Sequence, residues 1–358
     1  MPVANRIIKE DLAIITSAVI DWQRFNGKTV LITGANGFLP AYMVETLLYL
    51  NDNVAGFNVS VVALVRNKSK AEKRFSDYLL DSHLIFLEQD VVDSIEIEGK
   101  VDFIIHAASQ ASPKFYGTDP VGTLGANVLG TINLMKLAVE KKVESFLYFS
   151  SGEVYGEVDP SKMPVKETDY GYLDPTLVRS CYGESKRMGE NICVSYHHQY
   201  GVPAKIVRPF HTYGPGMALD DGRVFADFVR NILDEKNIIM KSDGKTQRAF
   251  CYLSDAVIAY FIVLLSSNSG EAYNIGNPYQ EFRILELANI LQKLYECKGS
   301  KVLTHKELNH SNNYLASAVN RSTPNIDKIG LLGWQPIVTV EEGFKMTIES
   351  FKQKTIQN

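Results

Sequence analysis

One stretch constrains the fold of this chain more than any other. Residues 29–33 read Thr-Val-Leu-Ile-Thr, an apolar, β-branched run that suits a buried strand. Gly34-Ala-Asn36-Gly37-Phe38-Leu39-Pro40-Ala follows at once, and then an amphipathic run to about Leu50. A strand, a glycine turn and a helix in that order form the context of a dinucleotide phosphate loop. Gly34 permits the tight turn, and Gly37 lets backbone approach a pyrophosphate. The helix start, with Phe38 and Leu39, supplies amide donors and partial positive charge. Pro40 stands where a third glycine or alanine is usual. Proline is tolerated in a first helical turn, so only the helix–strand packing is expected to differ.

The chain then repeats strand and helix. A strand over 59–65 ends in Arg66. An acid at such an end commonly bonds the ribose of NAD, whereas an arginine suits the extra phosphate of NADP, so both cofactor forms stay open. Residues 84–87 lead to Asp90 and Val91, a strand end expected to face the adenine. Residues 101–105 lead to His106 and then Ala107, Ala108 and Ser109, small residues that let backbone approach a cofactor. His106 is read as a structural hydrogen-bonding residue. A helix over about 120–140 carries Asn127, and a strand over 145–149 ends in Ser150-Ser151-Gly152-Glu153. This alternation predicts an α/β fold of Rossmann type, a doubly wound parallel sheet. Ligands of such sheets sit beyond the carboxyl ends of the strands, where Gly34, Ser109, Ser151 and Glu153 all fall.

Tyr182 and Lys186 lie four residues apart in Arg179-Ser-Cys-Tyr182-Gly-Glu-Ser-Lys186, on one face of a helix. An ammonium beside a phenol favours the phenolate, which would let Tyr182 act as a base below its ordinary pKa of about 10. Tyr-x-x-x-Lys alone is a weak pattern; the upstream phosphate loop and the serine-rich strand end give it weight. A strand over 204–215, through Arg208 and His211, then leaves the nucleotide domain, followed by loops bearing Arg223 and Arg248 and a smaller C-terminal α/β region expected to close on the substrate. The resulting division is 1–26, a helical extension with Leu12, Ile15, Val19 and Trp22 at helical spacing; 27–209, the dinucleotide domain; and 210–358, mainly substrate-binding, returning to the first domain near 249–268.

Bulk properties exclude several classes. The chain has 358 residues and a net charge of -4, with no dominant basic patch, so nucleic acid is not an expected partner. Cys181, Cys193, Cys251 and Cys297 are scattered without metal-ligand spacing, which points to free thiols in a reducing compartment. His197 and His198 do not share a helix face, so no metal site is expected there. Acidic residues interrupt the N-terminal stretch, and the apolar run 258–265 is too short to span a bilayer, so a cytoplasmic protein without membrane contact is expected.

Taken together, these residues resemble the extended short-chain dehydrogenase/reductase family that modifies nucleotide sugars. The resemblance runs from about Gly27 to the C-terminus. Within that family the chain is most similar to the UDP-glucuronate decarboxylases, through residues 106–113, 167–171, 179–187, 221–224 and 246–250. Three positions depart from their pattern: Gly152 replaces a serine, and His211 and Gly216 replace an asparagine and an arginine. The resemblance implies an NAD-dependent enzyme, with NADP not excluded, acting on a UDP-sugar through a 4-keto intermediate. Decarboxylation is the expected outcome, with 4,6-dehydration or 4-epimerisation as alternatives and a non-catalytic dinucleotide sensor as a remote one. It implies catalytic Ser151, Glu153, Tyr182 and Lys186, the last two also contacting the cofactor together with Asn127 and Arg208. It implies substrate contacts by Ser112, Pro113, Arg179, His211, Arg223 and Arg248, and a homodimer through the two long helices.

Overall fold

The structure is a computed structural model that describes residues 4–295, 302–304 and 319–356. Cys297 lies outside the described residues. The helices are α1 (Arg6–Ser17), α2 (Phe38–Asn53), α3 (Lys68–Arg74), α4 (Pro113–Thr118), α5 (Pro120–Lys141), α6 (Cys181–Tyr200), α7 (Val224–Leu233), α8 (Leu253–Leu265), α9 (Ile284–Leu294), α10 (Asp327–Gly330) and α11 (Val340–Ile356).

Seven strands build the large sheet: β1 (Lys28–Thr33), β2 (Val59–Val65), β3 (Leu84–Glu88), β4 (Phe103–His106), β5 (Ser145–Phe149), β6 (Ala204–Pro209) and, after three strands elsewhere, Glu271–Ile275. Those three are β7 (His211–Tyr213), β8 (Ile238–Met240) and β9 (Gln247–Tyr252), which makes Glu271–Ile275 β10. The order is β10-β6-β5-β4-β1-β2-β3, and every pairing is parallel. Apolar runs buried on both faces suit such a sheet, and β4 and β5 are buried throughout. Chain order reverses between β1 and β4, so a crevice opens beyond their carboxyl ends.

The stretch after β6 is not one continuous strand, as the sequence suggests. Pro209 ends β6, and β7 joins a second, four-stranded sheet in which β9 pairs with β7, β11 (Glu281–Arg283) and β13 (Arg321–Ser322). Strand β8 pairs with β12 (Val302–Thr304). Helix α8 returns to the large sheet, where Val257, Phe261 and Leu264 share one buried core with Val30, Ile32 and Phe103. Among the described residues no helix is long and apolar enough to cross a membrane.

The N-terminal extension packs tightly, though over a shorter helix than its spacing suggests. Ile7, Ile8, Leu12 and Ile15 are buried on α1, whereas Val19 lies beyond its end, fully exposed. The buried Asp11 accepts hydrogen bonds from Tyr42 on α2 at 3.0 Å and from Tyr252 on β9 at 2.9 Å. One carboxyl thus joins three elements far apart in sequence.

Candidate active site

The glycine turn forms the floor of the site. Gly34 sits at φ +61°, and a Cβ there would stand 2.8 Å from Ala108 Cα, so β1 and the end of β4 meet at a distance only glycine allows. The Gly37 amide donates to the Gly34 carbonyl at 2.7 Å, and Gly37 caps α2. Pro40 fits as a buried residue of the first turn, ahead of the first i→i−4 bond, from Ala41 to Gly37 at 3.0 Å. The glycine turn, the α2 N-terminus and the buried, unpartnered Ser109 hydroxyl fit a dinucleotide diphosphate.

Above this floor lies a cavity of about 430 Å³. Gly34, Gly37, Phe38, Leu39, Ala107 and Ser109 line its cofactor side. Ser151, Glu153, Tyr182 and Lys186 converge on its middle. Pro113, Arg179, His211, Arg223 and Arg248 line the rest.

Burial dominates the electrostatics of the central pair. It pushes the Tyr182 phenol up to about 12; a hydrogen bond with Ser151 and the charge of Arg223 oppose this, and Glu153 reinforces it. The Lys186 ammonium is pushed down to about 7 by the same loss of water. Lys186 Nζ donates to the Phe149 carbonyl at 2.6 Å and lies 5.8 Å from the centre of the Tyr182 ring. The expectation of a phenolate favoured by Lys186 is therefore reversed here: with both groups out of water, both neutral forms are favoured.

A column of side chains crosses the site. Tyr116 of α4 stacks on Tyr182 with ring centres 4.9 Å apart and planes 17° apart, and Arg179 lies over the other phenol at 5.0 Å. The Tyr116 hydroxyl donates to the Ala111 carbonyl at 3.0 Å. Arg179 also reaches Glu153, with Nη2 3.4 Å from Oε2. The Ser151 hydroxyl accepts from the Glu153 amide at 3.2 Å. A Cβ on Gly152 would meet the Phe210 ring at 3.2 Å, so the aromatic ring crowds this position against any side chain.

On the opposite wall Arg223 Nε donates to Asp221 at 2.6 Å, while Arg248 donates to the carbonyls of Gln247, Val319 and Asn320 at 2.8, 2.9 and 3.2 Å. His211 is held neutral, its pKa lowered by burial and then by Arg248 and Arg223, and its buried Nδ1 lacks a partner. Sequence reasoning missed Tyr116, Lys241 and Arg321 on these walls. Lys241 pairs with Asp227 at 2.6 Å and Arg321 with Glu281 at 2.6 Å. No local motif marks them; their partners are distant in sequence.

Several expected site residues stand elsewhere. Arg208 spends all five of its N–H groups inside the protein, on both oxygens of Glu190, on Tyr155 and Tyr170, and on the Glu167 carbonyl. Asn127 lies fully buried between α5 and α6, donating to Ser185 at 2.9 Å. The Ser112 hydroxyl donates to the Asp221 carbonyl at 2.5 Å and ties α4 to that loop. None of these three reaches the cavity wall. Val91 is core, Ala108 contributes backbone beneath Gly34, and Asn36 is half-buried beside the turn. Arg66 and Asp90 lie outside the cavity at the ends of β2 and β3, 4.0 Å from each other. His106 has the structural part read from sequence, bridging Thr33 and Thr131 at 2.9 and 3.1 Å, and burial lowers its pKa to about 3. Among the described residues no cluster could hold a metal.

The chain belongs to the NAD dependent epimerase/dehydratase family, whose sequence pattern matches residues 30–276, and it is an NAD-dependent enzyme. It is 35% identical over 333 residues to UDP-glucuronic acid decarboxylase 1 of Xenopus tropicalis, covering 91% of this chain and 73% of that protein. It is likewise 35% identical over 325 residues to UDP-glucuronic acid decarboxylase 3 of Arabidopsis thaliana, covering 90% of this chain and 89% of that one. The fold is also that of the UDP-glucose 4-epimerase of Thermotoga maritima solved with UDP-glucose, with a TM-score of 0.78 at 22% identity over 91% of this chain and 99% of that chain.

Proposed function

We propose that the protein decarboxylates UDP-glucuronate to UDP-xylose through a 4-keto sugar. The observation that carries this reading is the convergence of Ser151, Tyr182 and Lys186 with a carboxylate, Glu153, and an arginine, Arg179, on one cavity above a dinucleotide turn. NAD, when held over the Gly34–Gly37 turn and the α2 N-terminus, would supply a reversible hydride acceptor for the sugar C4. Tyr182 takes the C4 hydroxyl proton, with Lys186 and the Ser151 hydroxyl steadying the oxygen as it becomes a ketone. That ketone lies beta to the sugar carboxylate, so the carboxyl carbon leaves as CO2 and its bonding pair becomes a C5 enolate. Glu153 governs the proton at C5. Residues 27–209 hold the cofactor and the C-terminal region holds the sugar nucleotide, with His211, Arg223 and Arg248 on its side of the cavity.

Gly152 favours decarboxylation over 4,6-dehydration, because the acid that would protonate a departing hydroxyl is missing there. The test is incubation with NAD and UDP-glucuronate followed by mass analysis. Appearance of UDP-xylose supports the reading; turnover of a hexose nucleotide with no loss of the carboxyl mass overturns it. The same proposal includes a homodimer through α5 and α6, supported by the exposed Val121, Leu129 and Met188. It also includes a cytoplasmic location, supported by the free, buried thiols of Cys181, Cys193 and Cys251.

A further inference from the structure

The pair between Glu153 and Arg179 is long, at 3.4 Å, and partly wet, with side-chain exposures of 38% and 25%. Such a pair is worth little and exchanges readily. The guanidinium keeps a second anchor that does not depend on Glu153, the face of Tyr116 at 5.0 Å. Tyr116 is itself locked by its stack on Tyr182 and by its bond to the Ala111 carbonyl. Across the cavity the arginine fork of Arg248 is already directed at three backbone carbonyls, and Arg223, Lys241 and Arg321 each face their own carboxylate. Arg179 is thus the cavity cation whose carboxylate partner is both weakly held and one the reaction requires.

We propose that Arg179 is an exchangeable counter-ion: the carboxylate of the bound sugar takes Arg179 from Glu153, and Glu153 is released for proton transfer only when a carboxylated substrate is in place. Tyr116 is the positioning residue that keeps Arg179 at the cavity wall through the exchange. This rests on the reading that the cavity takes a UDP-uronate. Its consequence is selectivity at the chemical step, because a hexose nucleotide has no group with which to relieve Glu153 of its partner. No atoms are transferred in the exchange; one ion pair replaces another.

The exchange predicts a specific non-additivity. Binding is measured by calorimetry in a Tyr182→Phe background with NAD present, so that no turnover occurs, with circular dichroism to verify folding. Glu153→Gln removes the competitor for Arg179, so UDP-glucuronate binds about two- to fivefold tighter, the range of a partly exposed ion pair, while UDP-glucose binding is unchanged. In an Arg179→Met background the Glu153→Gln gain disappears, and Arg179→Lys restores part of it. If the gain persists without Arg179, Glu153 merely repels the sugar carboxylate and the exchange is wrong. If Glu153→Gln tightens UDP-glucose equally, it is also wrong. If the Tyr182→Phe protein binds UDP-glucose but not UDP-glucuronate, the functional reading itself has failed, and the exchange with it.

Discussion

The buried Asp11 makes the N-terminal helix sensitive to pH, in a direction that can be worked out in advance. Its carboxyl is pushed from 3.8 up to about 7, chiefly by burial and to a lesser degree by Glu10 and Asp255, against hydrogen bonds from Tyr252 and Tyr42. A carboxyl with a raised pKa binds its proton more tightly in the folded chain than in the unfolded one. Its stabilising proton is fully retained below about pH 4 and is lost as pH rises toward 7. The shift is about three pH units, so the folded state loses about 4 kcal/mol relative to a non-titrating side chain. With about 2.1 cal/mol/K of unfolding entropy per residue, a chain of 358 residues changes its Tm by about 1 °C for each ~0.75 kcal/mol. Asp11→Asn keeps an acceptor for the two phenols and removes the charge. About 1 kcal/mol of the Asp11 loss has already occurred at pH 4.5, so the variant's Tm relative to the unsubstituted protein should rise by about 4 °C between pH 4.5 and pH 8, read by differential scanning calorimetry. Comparing the two proteins at each pH cancels the titration of every other group. A Tm gap that is the same at both pH values would refute the argument that Asp11 is forced to charge inside the protein.

Two further outcomes bear on the site. Gly34→Ala puts a Cβ 2.8 Å from backbone at Ala108 while holding a φ of +61°, so the turn or the end of β4 must move; left-handed backbone alone costs about 1–2 kcal/mol, and NAD affinity by fluorescence titration should fall at least about tenfold. Unchanged affinity in a folded variant would mean that this close approach does not shape the cofactor floor. Lys186 loses its proton near pH 7 while the Tyr182 phenol keeps its own to about 12, so above pH 7 the pair has one proton to share and can form phenolate and ammonium by an internal transfer. The oxidation step, followed by transient cofactor absorbance, should rise through about pH 7 and level off, and Lys186→Met should abolish that rise; a rise only above about pH 9 would refute a shared proton.

What was legible in the sequence was whatever depends on neighbours close along the chain. The strands 59–65 and 145–149 stand where their apolar runs lie, and the turn at Gly34 is encoded within four residues. Ser151 and Glu153 follow a strand end, and Tyr182 and Lys186 share one helical turn, so their convergence on a common cavity followed from fold logic. Partnerships across long separations were illegible. Arg208 resembles a free cation at a strand end until Glu190, on the preceding helix, is seen to receive it through both oxygens. Ser112 follows a cofactor-facing segment, yet its hydroxyl turns to a carbonyl 109 residues away. Tyr116 stands three residues after Pro113, and nothing in that stretch announces a stack with Tyr182. The shifts of Tyr182 and Lys186 were misread for a related reason: spacing reveals that two groups meet, whereas the loss of water around them depends on every element that covers them.

That loss of water also explains why the two halves of the molecule must be held in register. Burial drives Tyr182, Lys186 and His211 toward their neutral forms, so charge that the chemistry needs has to be supported from outside the central pair. Part of that support crosses the cavity: Arg223, just before α7, lowers the Tyr182 phenol, and Arg223 with Arg248 of β9 acts on His211. Interactions of this kind fall with distance and collapse when water enters, by a factor of about four between an effective dielectric of 20 and one of 80. The position of β9 relative to α2 is therefore an electrostatic variable of the reaction as well as a packing detail. Asp11 bonds to both, through Tyr252 and Tyr42, and Asn5 and Arg6 of the same segment bond to Ser350 and Gln353 of α11. An N-terminal helix outside the matched family region thus helps fix the distance over which Arg248 of β9 acts on His211.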